Sequence, residues 1–386
     1  MSQDRLVVIG SGPAGVAAAL GYREAGGTGA VNVVSADLDL PYERPPLSKD
    51  MLRGASEPAD AMLHPASFYA ERGIELTLGA EVCRLDWAGQ EVGLRDGRAV
   101  DFASCILATG ATPIKPPIPG ADLPNVYVLR SQRDGTRLRD AAGRASRAVV
   151  AGSGFIGCEA AASLVKRGLA VTLITDEARP HQARLGGWVA DQITDWLQEQ
   201  GVQVVTGDGL AEITNDGVRT ASGRAFIAEL VLLATGVRPQ IALATDGGLR
   251  VEQGRVRVDA SMRTSVADVY AVGDAALATH ARAGRAVAVE HWGDALTMGE
   301  IAGRSAAGES AEWSQAPGFW STIGDHTMKY SAWGDGYDEV LVDEGSGEGF
   351  TVWYSRAGRV VGVLTHQADD DYEHGQQLVE QGAPLA

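Results

Sequence analysis

The chain has 386 residues, 33 of them basic and 50 acidic, for a net charge of −17. That balance excludes a broad nucleic-acid or anionic-membrane footprint, since both need a positive surface. With 45% hydrophobic and 22% charged residues the composition is that of a globular protein, and the length exceeds one core, so two or three domains are expected. The first apolar run starts within a few residues of Met1 and no run approaches membrane-spanning length, so a cytoplasmic location without membrane association is expected. Cys83, Cys105 and Cys158 are far apart and form no redox or zinc spacing; core filling is their expected role, and no metal site is expected.

Leu6 to Ile9 reads as a buried strand that stops at Gly10-Ser11-Gly12-Pro13-Ala14-Gly15, and a small-residue helix follows to about Ala25. In such a turn Gly10 makes the tight bend, Gly12 lets backbone approach a pyrophosphate, and Gly15 lets helix and strand pack closely. Free N–H groups and the helix dipole there favour phosphate, and a plain structural elbow is the alternative for this motif taken alone. A second strand, Ala30 to Val34, leads to Asp37, near the spacing at which an acid meets adenosine ribose hydroxyls, with Ser35 and Asp39 as competitors.

Next comes Pro41-Tyr42-Glu43-Arg44-Pro45-Pro46-Leu47-Ser48-Lys49-Asp50. Its prolines restrict the residues before them, which predicts a semi-extended Arg44. Two fixed cations beside a phosphate loop point to ligand contacts, and a rigid connector is the alternative. Short strands are expected at Ile74 to Leu78, Glu81 to Leu85 and Glu91 to Leu94, before the phrase Cys105-Ile106-Leu107-Ala108-Thr109-Gly110-Ala111-Thr112-Pro113. A proline-rich linker runs to Pro119. Between Arg130 and Arg147 six arginines decorate one face of an exposed helix, the strongest basic cluster in the chain and a candidate docking patch.

The opening then recurs. Ala148 to Ala151 leads into Gly152-Ser153-Gly154-Phe155-Ile156-Gly157, a helix to about Gly168 and a strand from Val171 to Ile174; the half closes on Ala234-Thr235-Gly236-Val237-Arg238-Pro239. Both halves run from G-x-G-x-x-G to A-T-G-x-x-P, so a dinucleotide-binding fold is duplicated. Val269-Tyr270-Ala271-Val272-Gly273-Asp274 follows, a strand ending in an acid able to accept from a sugar or ribitol hydroxyl. From Glu290-His291-Trp292 a helix runs to about Ala306, and an aromatic-rich tail from about Pro317 reads as a small antiparallel sheet with a closing helix.

The order G-x-G-P-A-G, P-Y-E-R-P-P-L-S-K, A-T-G, G-x-G-F-I-G-x-E, A-T-G-x-x-P, V-Y-A-V-G-D and E-H-W resembles the FAD-dependent NAD(P)H:ferredoxin (rubredoxin- and putidaredoxin-type) reductases of bacterial oxygenase systems, to which apoptosis-inducing factors are similar. The resemblance spans nearly the whole chain. It implies an α/β protein with two Rossmann-like, glutathione-reductase-type dinucleotide domains and a small α+β C-terminal domain. An FAD domain is expected over 1–113 and 240–315, an NAD(P) domain over 114–239 and the C-terminal domain over 316–386.

By the same resemblance, Gly10, Gly12, Pro13, Ala14 and Gly15 hold the FAD pyrophosphate, Asp37 the adenosine ribose and Asp274, beside Gly273, the ribitol. Arg44, Val82 and Ala108-Thr109-Gly110 join that site. Lys49 reaches the flavin and pairs with Glu159; these two are the expected catalytic residues, a pair whose lysine offsets charge on the reduced ring. A purely structural ion pair is the alternative. Gly152, Gly154, Phe155, Ile156 and Gly157, with Ala234-Thr235-Gly236, hold the nicotinamide dinucleotide. At the end of the next strand the usual glutamate of NADH-preferring relatives falls on Thr175; Asp176 and Glu177 lean toward NADH, while Arg179 and Arg184 leave NADPH possible. Glu290, His291, Trp292 and Trp320 are expected at the nicotinamide and flavin edge, with core packing as the alternative for each tryptophan.

The implied reaction passes electrons from NADH, through FAD, to a ferredoxin-type iron–sulfur protein serving an oxygenase or P450. The cysteine pair of disulfide reductases is missing, which favours one-electron export. After Phe319-Trp320-Ser321 many relatives continue Asp-Gln-Tyr, where this chain has Thr322-Ile323-Gly324, a departure that bears on the partner. A flavin oxidase or quinone reductase, and a redox-sensing protein like apoptosis-inducing factor, are the competing expectations. A monomer or homodimer is expected.

Overall fold

The computed structural model describes residues 4–345 and 349–385; the outer ends of the first and last expected segments, and residues 346–348 within the tail, lie outside them. The chain divides into two compact units, one of Met1–Glu43, Met62–Thr112 and Pro239–Phe319, the other of Arg44–Ala61, Pro113–Arg238 and Trp320–Ala386.

In the first unit, five parallel strands lie in the order Val269–Ala271, Ser104–Leu107, Leu6–Ile9, Val31–Val34 and Ile74–Thr77. Leu6, Val7, Val8, Cys105, Ile106 and Leu107 are all but fully buried, as a parallel sheet covered on both faces requires. Two smaller sheets complete the unit, one of Val82–Asp86, Glu91–Leu94 and Ala99–Asp101. The other holds Val251–Glu252, Arg255–Val258, Ala276–His280 and Arg285–Val287.

The helix Pro13–Glu24 packs backbone against backbone on the helix Trp292–Ala306. A Cβ on Gly299 would stand 2.2 Å from the Ala14 carbonyl oxygen, and one on Gly303 would stand 2.1 Å from that of Ala18. The small-residue pattern of the first helix therefore serves helix–helix contact as well as the sheet.

The second unit repeats the design with parallel strands Gln203–Val205, Ala170–Ile174, Arg147–Ala151, Leu230–Leu233 and Val126–Tyr127. A three-stranded antiparallel sheet, Leu210–Thr214, Gly217–Thr220 and Ala225–Ile227, flanks it. The tail forms five antiparallel strands in the order Gly318–Ile323, His326–Ala332, Arg359–His366, Phe350–Arg356 and Glu339–Glu344, with the helix Asp369–Gln381 behind them. The chain is thus α/β, with two Rossmann-like sheets and an antiparallel C-terminal sheet, as the motifs imply.

Three expectations need correction. Arg44 is helical, at φ −86° and ψ −32°, because a 3-10 turn begins at Pro45 and the Leu47 N–H donates to the Arg44 carbonyl at 3.0 Å; that bond overrides the pre-proline bias. Cys83 does not fill the core: it points outward from an edge strand and is exposed, while Cys105 and Cys158 are fully buried. The basic stretch is one helix only over Gln132–Ala142, with Arg147 already starting the next strand.

Candidate active site

At its first and third glycines each turn is set by contacts that leave no space for a side chain. Gly10 has φ +111° and a Cβ on it would lie 2.3 Å from the Ala108 carbonyl oxygen; Gly152 has φ +104° and the same 2.3 Å clearance to Ala234. Gly15 and Gly157 pack on the turn carbonyls of Gly10 and Gly152, where a Cβ would stand at 1.9 and 2.1 Å. Gly12 and Gly154 begin their helices in extended backbone with no side chain capping either first turn. At Gly154 a Cβ would meet nothing within 4 Å, so the turn opens onto free space. Uncapped helix N-termini behind bare glycine are the chemistry a pyrophosphate requires, and both turns fit one.

The two halves match beyond the motifs. Ser11 Oγ donates to Ser35 Oγ at 2.8 Å, and Ser153 Oγ to Thr175 Oγ1 at 2.9 Å. The Asp37 N–H donates to Ser35 Oγ at 3.1 Å, and that of Glu177 to Thr175 Oγ1 at 3.2 Å. Gly79 N–H reaches the Asp37 carbonyl and Gly207 N–H the Glu177 carbonyl, each at 2.8 Å. Glu177, and not its neighbour Asp176, thus occupies in the second half the place Asp37 occupies in the first. Burial, with help from the Asp176 charge, pushes the Glu177 carboxyl up.

The cations nearby are engaged. Arg179 pairs with Asp191 at 3.1 Å, and the Arg184 guanidinium lies 5.6 Å over the Phe155 ring and 6.0 Å over Tyr330. His181 stacks on Phe155 at 4.0 Å, and burial drives its imidazole down to about 3, so it is neutral. No sequence motif marked His181.

Within the first unit, Asp37 accepts from Tyr42 Oη at 2.9 Å and from the Asp39 N–H at 3.3 Å. Gly273 and the buried Asp274 form a 3-10 turn at the end of Val269–Ala271, and Val82 begins its own strand. Glu290 pairs with Arg255, and His291 stacks on Phe319 at 4.4 Å immediately before the helix that Trp292 starts. Trp320, in the second unit, is 44% exposed and is no core residue.

The most concentrated chemistry is in the second unit. Lys49 Nζ donates to Glu159 Oε2 at 2.7 Å, and Ser48 Oγ donates to the same oxygen at 2.6 Å. Ser321 Oγ donates to Glu159 Oε1 at 2.7 Å. Glu159 is 5% exposed, and Ser48 and Ser321 are buried with it. The pairing of Lys49 with Glu159 was legible in the motifs; Ser48 and Ser321 as its partners were not.

Two dinucleotide folds in tandem, two phosphate-fitting turns and a lysine paired with a buried glutamate define a two-nucleotide oxidoreductase. The chain belongs to the family described as pyridine nucleotide-disulphide oxidoreductase, whose model matches residues 4–299, and a reductase C-terminal model matches residues 318–386. It is similar to rhodocoxin reductase of Rhodococcus erythropolis, 33% identical over 98% of this chain and 90% of that one. It is also similar to the ferredoxin–NAD(+) reductase subunit of the benzene 1,2-dioxygenase system of Pseudomonas putida, 32% identical over 98% and 92%. The reductase in a covalent putidaredoxin reductase–putidaredoxin complex superposes with a TM-score of 0.94 at 29% identity, over 100% of this chain and 95% of that one. Members of such a family work with FAD and NAD(P)H. No helix among the described residues is long and apolar enough to cross a membrane, and no cluster there could hold a metal ion.

Proposed function

We propose that the protein takes electrons from NADH and delivers them, through FAD, to a ferredoxin-type iron–sulfur protein of an oxygenase or P450 system. The observation that carries this is the Lys49–Glu159 pair, whose carboxylate is buried and whose ammonium is partly exposed, with no usable thiol beside it. The neighbouring Cys158 is fully buried, its thiol donates to the Ser153 carbonyl at 3.3 Å, and burial pushes it far up, so it stays protonated. Cys105 is pushed up to about 12 by burial inside its strand. No dithiol outlet exists among the chain's three cysteines, which leaves export to an external acceptor.

In this reading Gly10, Gly12, Pro13, Ala14 and Gly15 bind the FAD pyrophosphate, Asp37 the adenosine ribose and Asp274 the ribitol, with Val82, Ala108, Thr109 and Gly110 of the same unit as further FAD contacts, and Arg44 is assigned to FAD as well. Gly152, Gly154, Phe155, Ile156, Gly157, Ala234, Thr235 and Gly236 hold the nicotinamide dinucleotide. Bound FAD supplies the capacity to accept a hydride and release single electrons. Lys49 offers a positive charge toward the flavin, and Glu159 holds that ammonium in place. Glu290, His291 and Trp292 in the first unit, and Trp320 in the second, are each assigned to contacts with nicotinamide or acceptor.

Preference for NADH follows from Glu177. Its place matches that of Asp37, where a carboxylate accepts from ribose hydroxyls and repels a 2′-phosphate. Arg179, already paired with Asp191, is not free to bind that phosphate.

Anaerobic titration of the yellow protein with NADH and, separately, NADPH tests the reading, followed by an oxidised ferredoxin. NADH should bleach the flavin at far lower concentration, and ferredoxin should restore the colour. A flavin that NADH cannot bleach, or a reduced flavin that no iron–sulfur protein re-oxidises, would refute it.

A further inference from the structure

We propose that Ser321 is a positioning residue which, through Glu159, sets the placement of Lys49. This rests on the reading above that Lys49 serves the flavin.

Glu159 sits in the first turns of the helix Phe155–Lys166, 5% exposed, and a carboxylate there needs donors on both oxygens. Oε2 has two, Lys49 Nζ at 2.7 Å and Ser48 Oγ at 2.6 Å. Oε1 has Ser321 Oγ, at 2.7 Å. The Ser48 end is braced independently, since Ser163 on the same helix donates to the Ser48 carbonyl at 2.7 Å. Ser321 comes from the strand Gly318–Ile323, 162 positions away, and is fully buried.

Strand alternation makes the arrangement specific. Phe319 and Ser321 point to one side and are buried, while Trp320 between them is exposed. The buried side delivers a hydroxyl to Glu159 Oε1. Without it that oxygen is a desolvated acceptor, and the carboxylate gains by rotating toward another donor, away from the ammonium. The C-terminal sheet thereby fixes the geometry of a pair built by two other segments. Other residues after Ser321 act differently: Thr322 Oγ1 meets Thr327 Oγ1 at 2.9 Å across the hairpin, and Asp325 pairs with Lys166. Their chemistry closes the turn and leaves Glu159 to Ser321.

The test uses the FAD-loaded full chain and its Ser321→Ala, Ser321→Thr and Ser321→Cys variants. Flavin content, NADH dissociation constant, flavin midpoint potential and the anaerobic rate of flavin reduction by NADH are measured. Ser321→Ala should keep flavin and NADH affinity while reduction slows by roughly tenfold or more and the potential falls, the size expected when a hydrogen bond to a buried charge is lost. Ser321→Thr, which retains the hydroxyl, should recover most of the rate. Ser321→Cys, with a weak donor of similar volume, should fall between and serves if the alanine variant loses flavin. In a Glu159→Gln background Ser321→Ala should add little, because both act through one carboxylate.

Unchanged rate and potential in Ser321→Ala and Ser321→Cys, or a threonine variant as slow as alanine, would overturn the proposal while leaving the proposed function standing. Wild-type flavin that NADH does not reduce would remove both.

Discussion

Asp294 should carry a pH-dependent cost that an asparagine abolishes. It lies in the first turn of the helix Trp292–Ala306 and is 7% exposed, its Oδ2 has no hydrogen-bond partner, and burial raises its carboxyl from 3.8 to about 7 against the opposing bond from the Gly318 N–H. The helix dipole favours a negative charge there by about 0.3–1 kcal/mol, too little to offset desolvation. A folded-state value of about 7 against 3.8 unfolded means the proton is held more tightly in the native state, so stability is full below about 4 and declines as pH rises through about 7. The complete loss is on the order of 4 kcal/mol at pH 8, of which about 2 kcal/mol falls between pH 5.5 and pH 8. Asp294→Asn keeps an acceptor for Gly318 and has no proton to lose. Its extra N–H is unpaired, but so is the O–H of the protonated acid, and the two penalties largely cancel. Urea unfolding with FAD at fixed excess, from pH 5.5 to 8.5 and clear of the isoelectric point near 4.8, should show the variant's advantage widening by about 2 kcal/mol. Parallel curves for the two proteins would refute the argument.

Exchanging Glu177 for arginine should lower the NADH-to-NADPH ratio of kcat/KM by roughly tenfold or more, whereas the same exchange at Asp176 should change it less; equal effects at both would contradict the matched register of the two halves. Gly303→Ala should destabilise by about 1–3 kcal/mol, seen as a lower melting temperature, because its Cβ would stand 2.1 Å from the Ala18 carbonyl oxygen and 2.7 Å from the Tyr22 nitrogen. On the helix Gln132–Ala142, Arg133 and Arg137 are exposed, and Gly135 packs against Leu47 and Met51 beside Lys49, with a Cβ there 3.2 and 3.0 Å from their side chains. Replacing both arginines by glutamate should raise the KM for an acidic iron–sulfur protein severalfold and weaken its salt dependence while ferricyanide reduction is unaltered; an unchanged KM would exclude this face from docking.

How far the molecule was legible in its sequence depends on how local each feature is. The glycine turns were legible because the positive φ at Gly10 and Gly152 is a local demand that glycine meets, although the carbonyls that close the space, of Ala108 and Ala234, come from distant segments. The buried strands followed from their apolar runs. The helix Gly187–Glu199 and the strands Ala276–His280 and Arg285–Val287 left no comparable signal, since their patterns are short or mixed and tertiary packing decides them. Arg44 went the other way from its local bias because one turn hydrogen bond outweighed it. Ser48 and Ser321 were invisible as partners of Glu159, because a serine announces no chemistry until the fold carries it 111 or 162 positions to a buried carboxylate.

The ribose acid shows why spacing alone falls short even for a well-known motif. Counted from the glycines, Asp176 and Glu177 come three and two residues sooner than Asp37 does in the first half, so spacing did not choose between them. What fixes the register is a side-chain bond at the end of the strand, Ser35 in one half and Thr175 in the other, each accepting from the N–H two residues on. Both halves spend the strand end on a hydroxyl, and the acid arrives two positions later. The duplicated fold therefore conserves the place of the carboxylate in space while its place in the sequence moves, and Glu177 is the residue on which the nucleotide preference should be tested.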